Sequence, residues 1–248
     1  MKRTFLPMLL AVILLVPFMV QSMEKSEKEA LEGKIAELTQ RVADLEAKLR
    51  FVSVSTESIS GLAGPHMIFD GVNIHVRSGS GSTSDNIARG EPLSGLGNLV
   101  VGYNEIIPAA PMPRTGSHNL VVGPWHSFSS YGGLIAGSNN KTSAPFASVT
   151  GGTYNVASGT QASVGGGSGN EASGNRSSIS GGGNNMARGL YASISGGSQN
   201  EATSLNSSVS GGWGNVASGM FSCVSGGSNN FARGDFSTCS GGRDEGAY

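Results

Sequence analysis

The sequence is poor in charged residues, in aromatic residues and in cysteine. Of its 248 residues, 13% are charged and 6% are aromatic, and only two are cysteines. A soluble globular domain usually has about 25% charged residues. The formal net charge of -1 gives no electrostatic reason to bind nucleic acid or an anionic membrane surface. The composition therefore argues against an ordinary globular core and against a nucleic-acid partner.

Glycine is abundant, and its occurrence is periodic. Many of the 39 glycines form pairs, and the pairs recur every 15 residues from position 151 to position 242. Asparagine recurs with the same period, at positions 155, 170, 185, 200, 215 and 230. A disordered glycine linker has no reason to hold register over so many copies, whereas stacked structural repeats require it. The period predicts a mainly β protein, a glycine-rich β-solenoid or β-roll with rungs of 15 residues.

Each repeat has positions for an interior and for turns. Residues two apart in a strand share a face, so a column of small apolar residues is predicted to fill the interior opposite an alanine column that begins at Ala157. The glycine pairs permit tight turns, and the asparagines are predicted to form a stacked ladder that binds turn backbone groups. So thin an interior buries little area, so side-by-side association of chains is expected. The apolar column comprises Val149, Val164, Ile179, Ile194, Val209, Val224 and Cys239.

Weaker copies of the rung precede the regular array. Residues 97–102, 118–123 and 132–137 share one pattern, and Met67 to Val76 alternates in a way that predicts an opening strand. Within the array, Cys223 and Cys239 lie one place out of step on neighbouring rungs. Their side chains are therefore expected on opposite faces, which disfavours a disulfide bond between them.

The first 22 residues have the pattern of a secretory signal peptide. Lys2 and Arg3 precede an apolar run, Phe5 to Val20, which is short for a membrane span, and Ser22 precedes a plausible cleavage site. The sequence predicts a secreted or cell-surface protein. An uncleaved anchor is the alternative, and it would be the one route to a membrane association.

Residues 28–52 contain a heptad pattern. Apolar residues alternate at spacings of four and three, and the outer positions are mostly charged or alanine, which favours a coiled coil over a helix packed on its own domain. Isoleucine and valine at the a positions with leucine at d favour two strands, whereas Arg41 and Glu46 match a known trimer-specifying pattern. We predict a homotrimer. The residues expected to hold it together are Ile35, Leu38, Arg41, Val42, Leu45, Glu46 and Leu49, and the apolar pattern also includes Leu31 and Val52.

The consensus Ser-Val-Ser-Gly-Gly-x-x-Asn-x-Ala-Ser-Gly over residues 133–248 resembles the head repeats of YadA-like trimeric autotransporter adhesins. The resemblance implies a β-roll head, three packed chains and an adhesive surface. This chain differs in its regular Gly-Gly and Asn, in the longer repeat and in placing the stalk first. It is expected to lack the C-terminal barrel anchor of that family.

No catalytic, cofactor or metal motif emerges from the sequence. His66, His75, His118 and His126 lack the spacing of metal ligands, so neither an enzyme nor a metal site is expected. One segment collects aromatic rings beside hydroxyl groups, which suits a sugar or a protein partner. Its candidate ligand-binding residues are Trp125, His126, Phe128 and Tyr131, and an aromatic plug inside the protein is the alternative.

These observations predict four parts and a non-catalytic role. The parts are a signal peptide (1–22), a coiled-coil stalk (23–53), a β-rich connector with imperfect rungs (54–132) and a solenoid head (133–248). We expect a secreted or surface-displayed structural or adhesive protein that associates with itself and contacts extracellular matrix, a glycan or another surface protein. A glycan-binding fibre is the first alternative. An ice-binding solenoid is the weaker one, because serine rather than threonine dominates the exposed column that starts at Thr150.

Overall fold

The computed structural model describes residues 25–107, 112–244 and 246–247, and these fall into two compact units that meet in sequence at residue 74. The predicted signal peptide lies outside the described residues. No helix among the described residues is long and apolar enough to cross a bilayer.

The described residues of the first unit, 25–74, form one helix and one β-hairpin. Helix α1 spans Lys25–Leu49, with Glu27 in its first turn and Lys48 in its last, which suits the helix dipole. Strands β1 (Val52–Ser55) and β2 (His66–Phe69) pair antiparallel, with Val52 opposite Phe69. The heptad pattern thus ends in the helix at Leu49, since Val52 belongs to a strand. The strand predicted from Met67 onward exists in part, but it pairs with β1 and does not open the solenoid.

The second unit is a parallel β-solenoid built on two sheets, as the repeat predicted. A 3-10 turn, Ile87–Arg89, precedes its rungs. The first sheet has ten strands: β3 (Leu99–Val101), β4 (Leu120–Val122), β6 (Leu134–Ala136), β8 (Ser148–Val149), β10 (Ser163–Val164), β12 (Ser178–Ile179), β14 (Ser193–Ile194), β16 (Ser208–Val209), β18 (Cys223–Val224) and β20 (Thr238–Cys239). The second has nine: β5 (Ser127–Phe128), β7 (Lys141–Thr142), β9 (Val156–Ala157), β11 (Glu171–Ala172), β13 (Met186–Ala187), β15 (Glu201–Ala202), β17 (Val216–Ala217), β19 (Phe231–Ala232) and β21 (Gly246–Ala247).

Register is constant along the array. Val164 pairs with Val149 on one side and Ile179 on the other, and Ala172 pairs with Ala157 and Ala187. The three imperfect rungs join the same sheet, because β3, β4 and β6 pair in order and Ile135 pairs with Val149. The weaker copies are therefore confirmed as rungs. The steps from Val121 to Ile135 and from Ile135 to Val149 are each one residue shorter than the regular repeat.

The core is a narrow strip between the two sheets. The apolar column and the alanine column are buried along the whole array, with exposures of 0–4%. The two cysteines confirm the alternation: Cys239 is buried in the apolar column, and Cys223 lies on the outer face in line with Ser208 and Thr238. Neither cysteine forms a disulfide bond.

The second glycine of each pair is fixed by the spacing between rungs. Gly182 has φ +91°, and a Cβ atom there would lie 2.0 Å from the carbonyl oxygen of Gly197 in the next rung. Gly181 has no atom within 4 Å of the same ideal position. Two adjacent glycines therefore differ in what they tolerate.

We predict that Gly182→Ala destabilises the solenoid by well over 2 kcal/mol, since the positive φ alone costs an alanine about 1–2 kcal/mol and the clash adds to it. Gly181→Ala is the matched control and should change the free energy of unfolding by less than about 0.5 kcal/mol. Denaturant unfolding followed by circular dichroism measures both. Equal midpoints for the two variants would contradict this account of the turn.

Candidate functional site

A buried column of asparagine side chains runs through the regular rungs. Asn185 is typical: its side-chain NH2 donates to the carbonyl oxygens of Gly181 and Gly197, each at 3.0 Å, and its own backbone N–H donates to Oδ1 of Asn170 at 3.0 Å. Each side-chain amide thereby contacts its own rung and the next one. The ladder consists of Asn140, Asn155, Asn170, Asn185, Asn200, Asn215 and Asn230, all at most 1% exposed.

The first place of this ladder belongs to a histidine, His126, which is fully buried. The backbone N–H of Asn140 donates to its Nδ1 at 3.3 Å, so Nδ1 is unprotonated and Nε2 carries the hydrogen. Nε2 donates to the carbonyl of Val122 at 3.0 Å, the bond that the asparagines make four residues back. The backbone N–H of His126 donates to Oδ1 of Asn104 at 2.7 Å, which extends the ladder by one more residue.

Burial lowers the pKa of His126 below its ordinary value of 6.5. Hydrogen bonds to the backbone oppose this only in part, and the nearby positive charge of Arg114 adds to the lowering. That guanidinium also donates to the carbonyl of His126 and to the side chain of Asn104. The imidazole is therefore held neutral, as a structural member of the ladder.

The other three sequence-predicted candidates do not share one surface with His126. Phe128 is 4% exposed and aligns with Thr142, so it closes the end of the alanine column. Tyr131 is half-buried and meets the ring of Phe146 edge-on at 5.2 Å. Trp125 is 41% exposed. The segment thus packs largely inward, and Trp125 is the member that offers most of its surface to a ligand.

The buried carboxylate of Asp85 was not among the residues predicted from the sequence. It connects the segment before β3 to the first rungs. Asp85 is 2% exposed and accepts hydrogen bonds from the Ser78 hydroxyl and from both the hydroxyl and backbone N–H of Ser94. Burial by itself would raise the pKa of Asp85, but hydrogen bonds from the hydroxyls of Ser117, Ser78 and Ser94 hold that pKa well below its usual range. The alternating serines at 78–84 were the available signal.

His118 adds further contacts between the same parts of the chain. The backbone N–H of Ser78 donates to its Nε2 at 3.1 Å, so Nδ1 carries the hydrogen and donates to the carbonyl of Thr83 at 2.9 Å. The same Nδ1 lies 4.0 Å from Oδ1 of Asp85. These contacts bind the segment before β3 to the turn before β4. Within the described part of the chain, no group of three or more His, Cys, Asp or Glu side chains is placed to hold a metal ion.

The outer face of the first sheet displays hydroxyl groups. The column that starts at Thr150 is exposed throughout, and its members are Thr150, Gly165, Ser180, Ser195, Ser210, Ser225 and Ser240. The adjacent column, two residues earlier, continues the same face with Ser148 and its equivalents, which include Cys223. This face is regular, but glycine and cysteine interrupt its hydroxyl groups.

The ladder predicts a strong asymmetry between two adjacent asparagines. Asn185→Asp removes both side-chain N–H donors and places a carboxylate against the two glycine carbonyls, so we expect a loss of roughly 3 kcal/mol or more. Asn184 is exposed, and Asn184→Asp should stay within about 0.5 kcal/mol of the parent protein. Chemical denaturation gives both values, and a small effect at position 185 would contradict the structural role of the amides.

His126 predicts a pH-dependent stability. Its pKa is lower in the folded than in the unfolded chain, so the unfolded state binds the proton first and the free energy of unfolding decreases as the pH falls below about 6.5. His126→Asn places the usual ladder residue there and should reduce this decrease between pH 7 and pH 5. The exposed His75→Asn is the control. An unchanged slope in the His126→Asn protein would contradict the assignment.

A comparison with models of known protein families found no match, and a comparison with curated proteins found no similar sequence.

Proposed function

We propose that this chain is a non-catalytic structural or adhesive protein, secreted or displayed at the cell surface, in which a parallel coiled coil of three copies carries the β-solenoid as a rigid head. The observation that carries the proposal is the difference between the inward and the outward residues of each rung. The inward positions hold a nearly constant set of alanine, serine, small apolar and asparagine residues. Outward positions in the turns differ in side chain from rung to rung, while serine dominates the outer columns of the first sheet.

One column of outward residues illustrates this difference. Ser198, Trp213 and Ser228 occupy equivalent places on successive rungs and pair in parallel register. A serine and a tryptophan thus hold the same backbone position, and Trp213 is 49% exposed. A scaffold that holds serine, tryptophan and arginine (Arg243) at one backbone position, with a fixed rise of about 4.8 Å per rung, is suited to presenting surface groups to a partner.

The helix supports the proposed self-association. Leu38, Leu45 and Leu49 are each 55% exposed, and Arg41 pairs with Glu37 one turn earlier on the same helix at 3.8 Å. Burying one leucine side chain contributes roughly 1.5–3 kcal/mol, so the unpartnered stripe gives a strong driving force for helix association. Three strands are proposed because Arg41 and Glu46 flank Val42 and Leu45 in the trimer-specifying pattern.

The glycan-binding alternative rests on Trp125, whose indole is exposed beside the proline-containing turn at 124. Extracellular matrix, a glycan or another surface protein are the proposed partner classes for the head.

We predict that the secreted protein has the mass of three chains when light scattering follows size exclusion. Val42→Asp places a charge at an a position of the stalk and should reduce the mass to that of one chain. Ala43→Asp, at the neighbouring outward position, should leave it unchanged. A single-chain mass for the parent protein, or equal behaviour of the two variants, would overturn the proposed trimer.

A further inference from the structure

One edge of the solenoid is apolar over four consecutive rungs. It lies in the turn that joins each strand of the second sheet to the next strand of the first. We call it the apolar edge, and its residues are Leu190, Tyr191, Leu205, Met220, Phe221 and Phe236. We propose that the apolar edge is the surface through which the heads of neighbouring copies contact one another side by side, an inference that rests on the proposed trimer.

The edge is continuous because the turns are joined from rung to rung. The backbone N–H of Asn206 donates to the carbonyl of Leu190 at 2.9 Å, and that of Phe221 donates to Leu205 at 2.9 Å. Leu190, Met220 and Phe221 are 42–47% exposed, and Phe236 is 74% exposed. The side chains form two adjacent columns parallel to the stacking direction.

Polar residues mark both ends of the column of Leu190, Leu205 and Met220, and in the neighbouring column the exposed Asn206 separates Tyr191 from Phe221. Before Leu190, the corresponding place holds Asn175, whose Oδ1 accepts the backbone N–H of Thr160 at 3.0 Å. After Met220 it holds Asp235, whose Oδ1 accepts the backbone N–H of Met220 at 2.8 Å. Phe146 holds the equivalent place on an earlier rung and is 48% exposed, but Gln161 and Arg176 separate it from Tyr191. The run of apolar residues from Leu190 to Phe236 thus lies on the distal rungs, and the same turn accommodates polar side chains elsewhere. Their presence is not required by the fold.

Ring geometry favours a protein partner over a sugar. Phe221 and Phe236 stack with centroids 5.2 Å apart and planes within 1° of each other. Sugar binding uses the faces of aromatic rings, and in this pair the two facing sides cover each other, so each ring offers one face fewer to a sugar. Next to them, Arg176 donates to the hydroxyl of Tyr191 and lies over its ring at 5.3 Å, which also covers a face.

The size of the edge indicates which protein occupies it. From their exposed fractions, the six side chains together offer roughly 500 Å² of accessible surface, if an aromatic side chain contributes about 150–250 Å² when fully buried. A stable interface between free proteins buries about 800 Å² per partner, so this edge is too small to hold an untethered partner. A second copy fits, because a shared stalk supplies a high effective concentration. It also presents its side chains at the same rise per rung.

The test measures distances between copies in the full-length secreted protein. Cys223→Ser and Cys239→Val remove the native thiols with residues that are typical of their columns. One cysteine for a nitroxide label is then placed at Asn206, in the middle of the apolar edge, or at Gln199. Both residues are exposed and have positive φ, 54° and 57°, so the two sites are matched in backbone conformation. They lie on different corners of neighbouring rungs.

We expect labels at position 206 to give a markedly shorter distance between copies by pulsed electron spin resonance than labels at position 199. A three-chain mass with the shorter distance at position 199, or with equal distances, would overturn the role of the apolar edge and leave the trimer intact. A one-chain mass without a dipolar signal between copies would overturn the trimer itself and, with it, this inference.

Discussion

The hydrogen bonds of one asparagine amide per rung are the interaction on which the solenoid depends. Strands of two residues make few ladder bonds, and the core between them is filled by alanine and valine side chains. The amide of each asparagine supplies what such short strands lack, because it bonds to its own turn and to the following one. A Cβ atom on Gly152 would lie 2.7 Å from the amide nitrogen of Asn155 and 2.1 Å from the carbonyl oxygen of Gly167. The asparagine and the second glycine of the pair are therefore required together.

This constraint separates the scaffold of the head from its surface. Every inward position is committed to the ladder or to the thin core, and a change there affects three rungs at once. Outward positions are not bound by these contacts, so Trp213 and Ser228 occupy equivalent places on neighbouring rungs without a change in register. A protein organised in this way is suited to display. A cluster of exposed apolar residues on such a surface indicates an interaction site, since the fold itself does not need the cluster.

Much of the fold follows from the sequence because its period is constant. The inward column ending in Cys239, the opposite orientation of Cys223 and the asparagine ladder were all predicted and are confirmed. For the aromatic segment around Trp125 the sequence left two interpretations open, a ligand site and an aromatic plug. His126 and Phe128 were chosen as ligand-binding residues by their chemical type, but they occupy the first places of the asparagine and alanine columns. The shortened rungs before Val149 displace them from the fifteen-residue count, which hid this equivalence.

The sequence by itself determined the repeat length, the residues that face inward and the apolar stripe of the helix, since each of these depends on contacts at one fixed separation along the chain. Only the tertiary structure decided the pairing of β1 with β2, the burial of Asp85 among serines and the stacking of Phe221 on Phe236. The first two depend on how aperiodic segments return to the chain, and no period encodes that path. The stacking depends on rotamers that the two side chains adopt jointly, which positions fifteen residues apart permit but do not dictate.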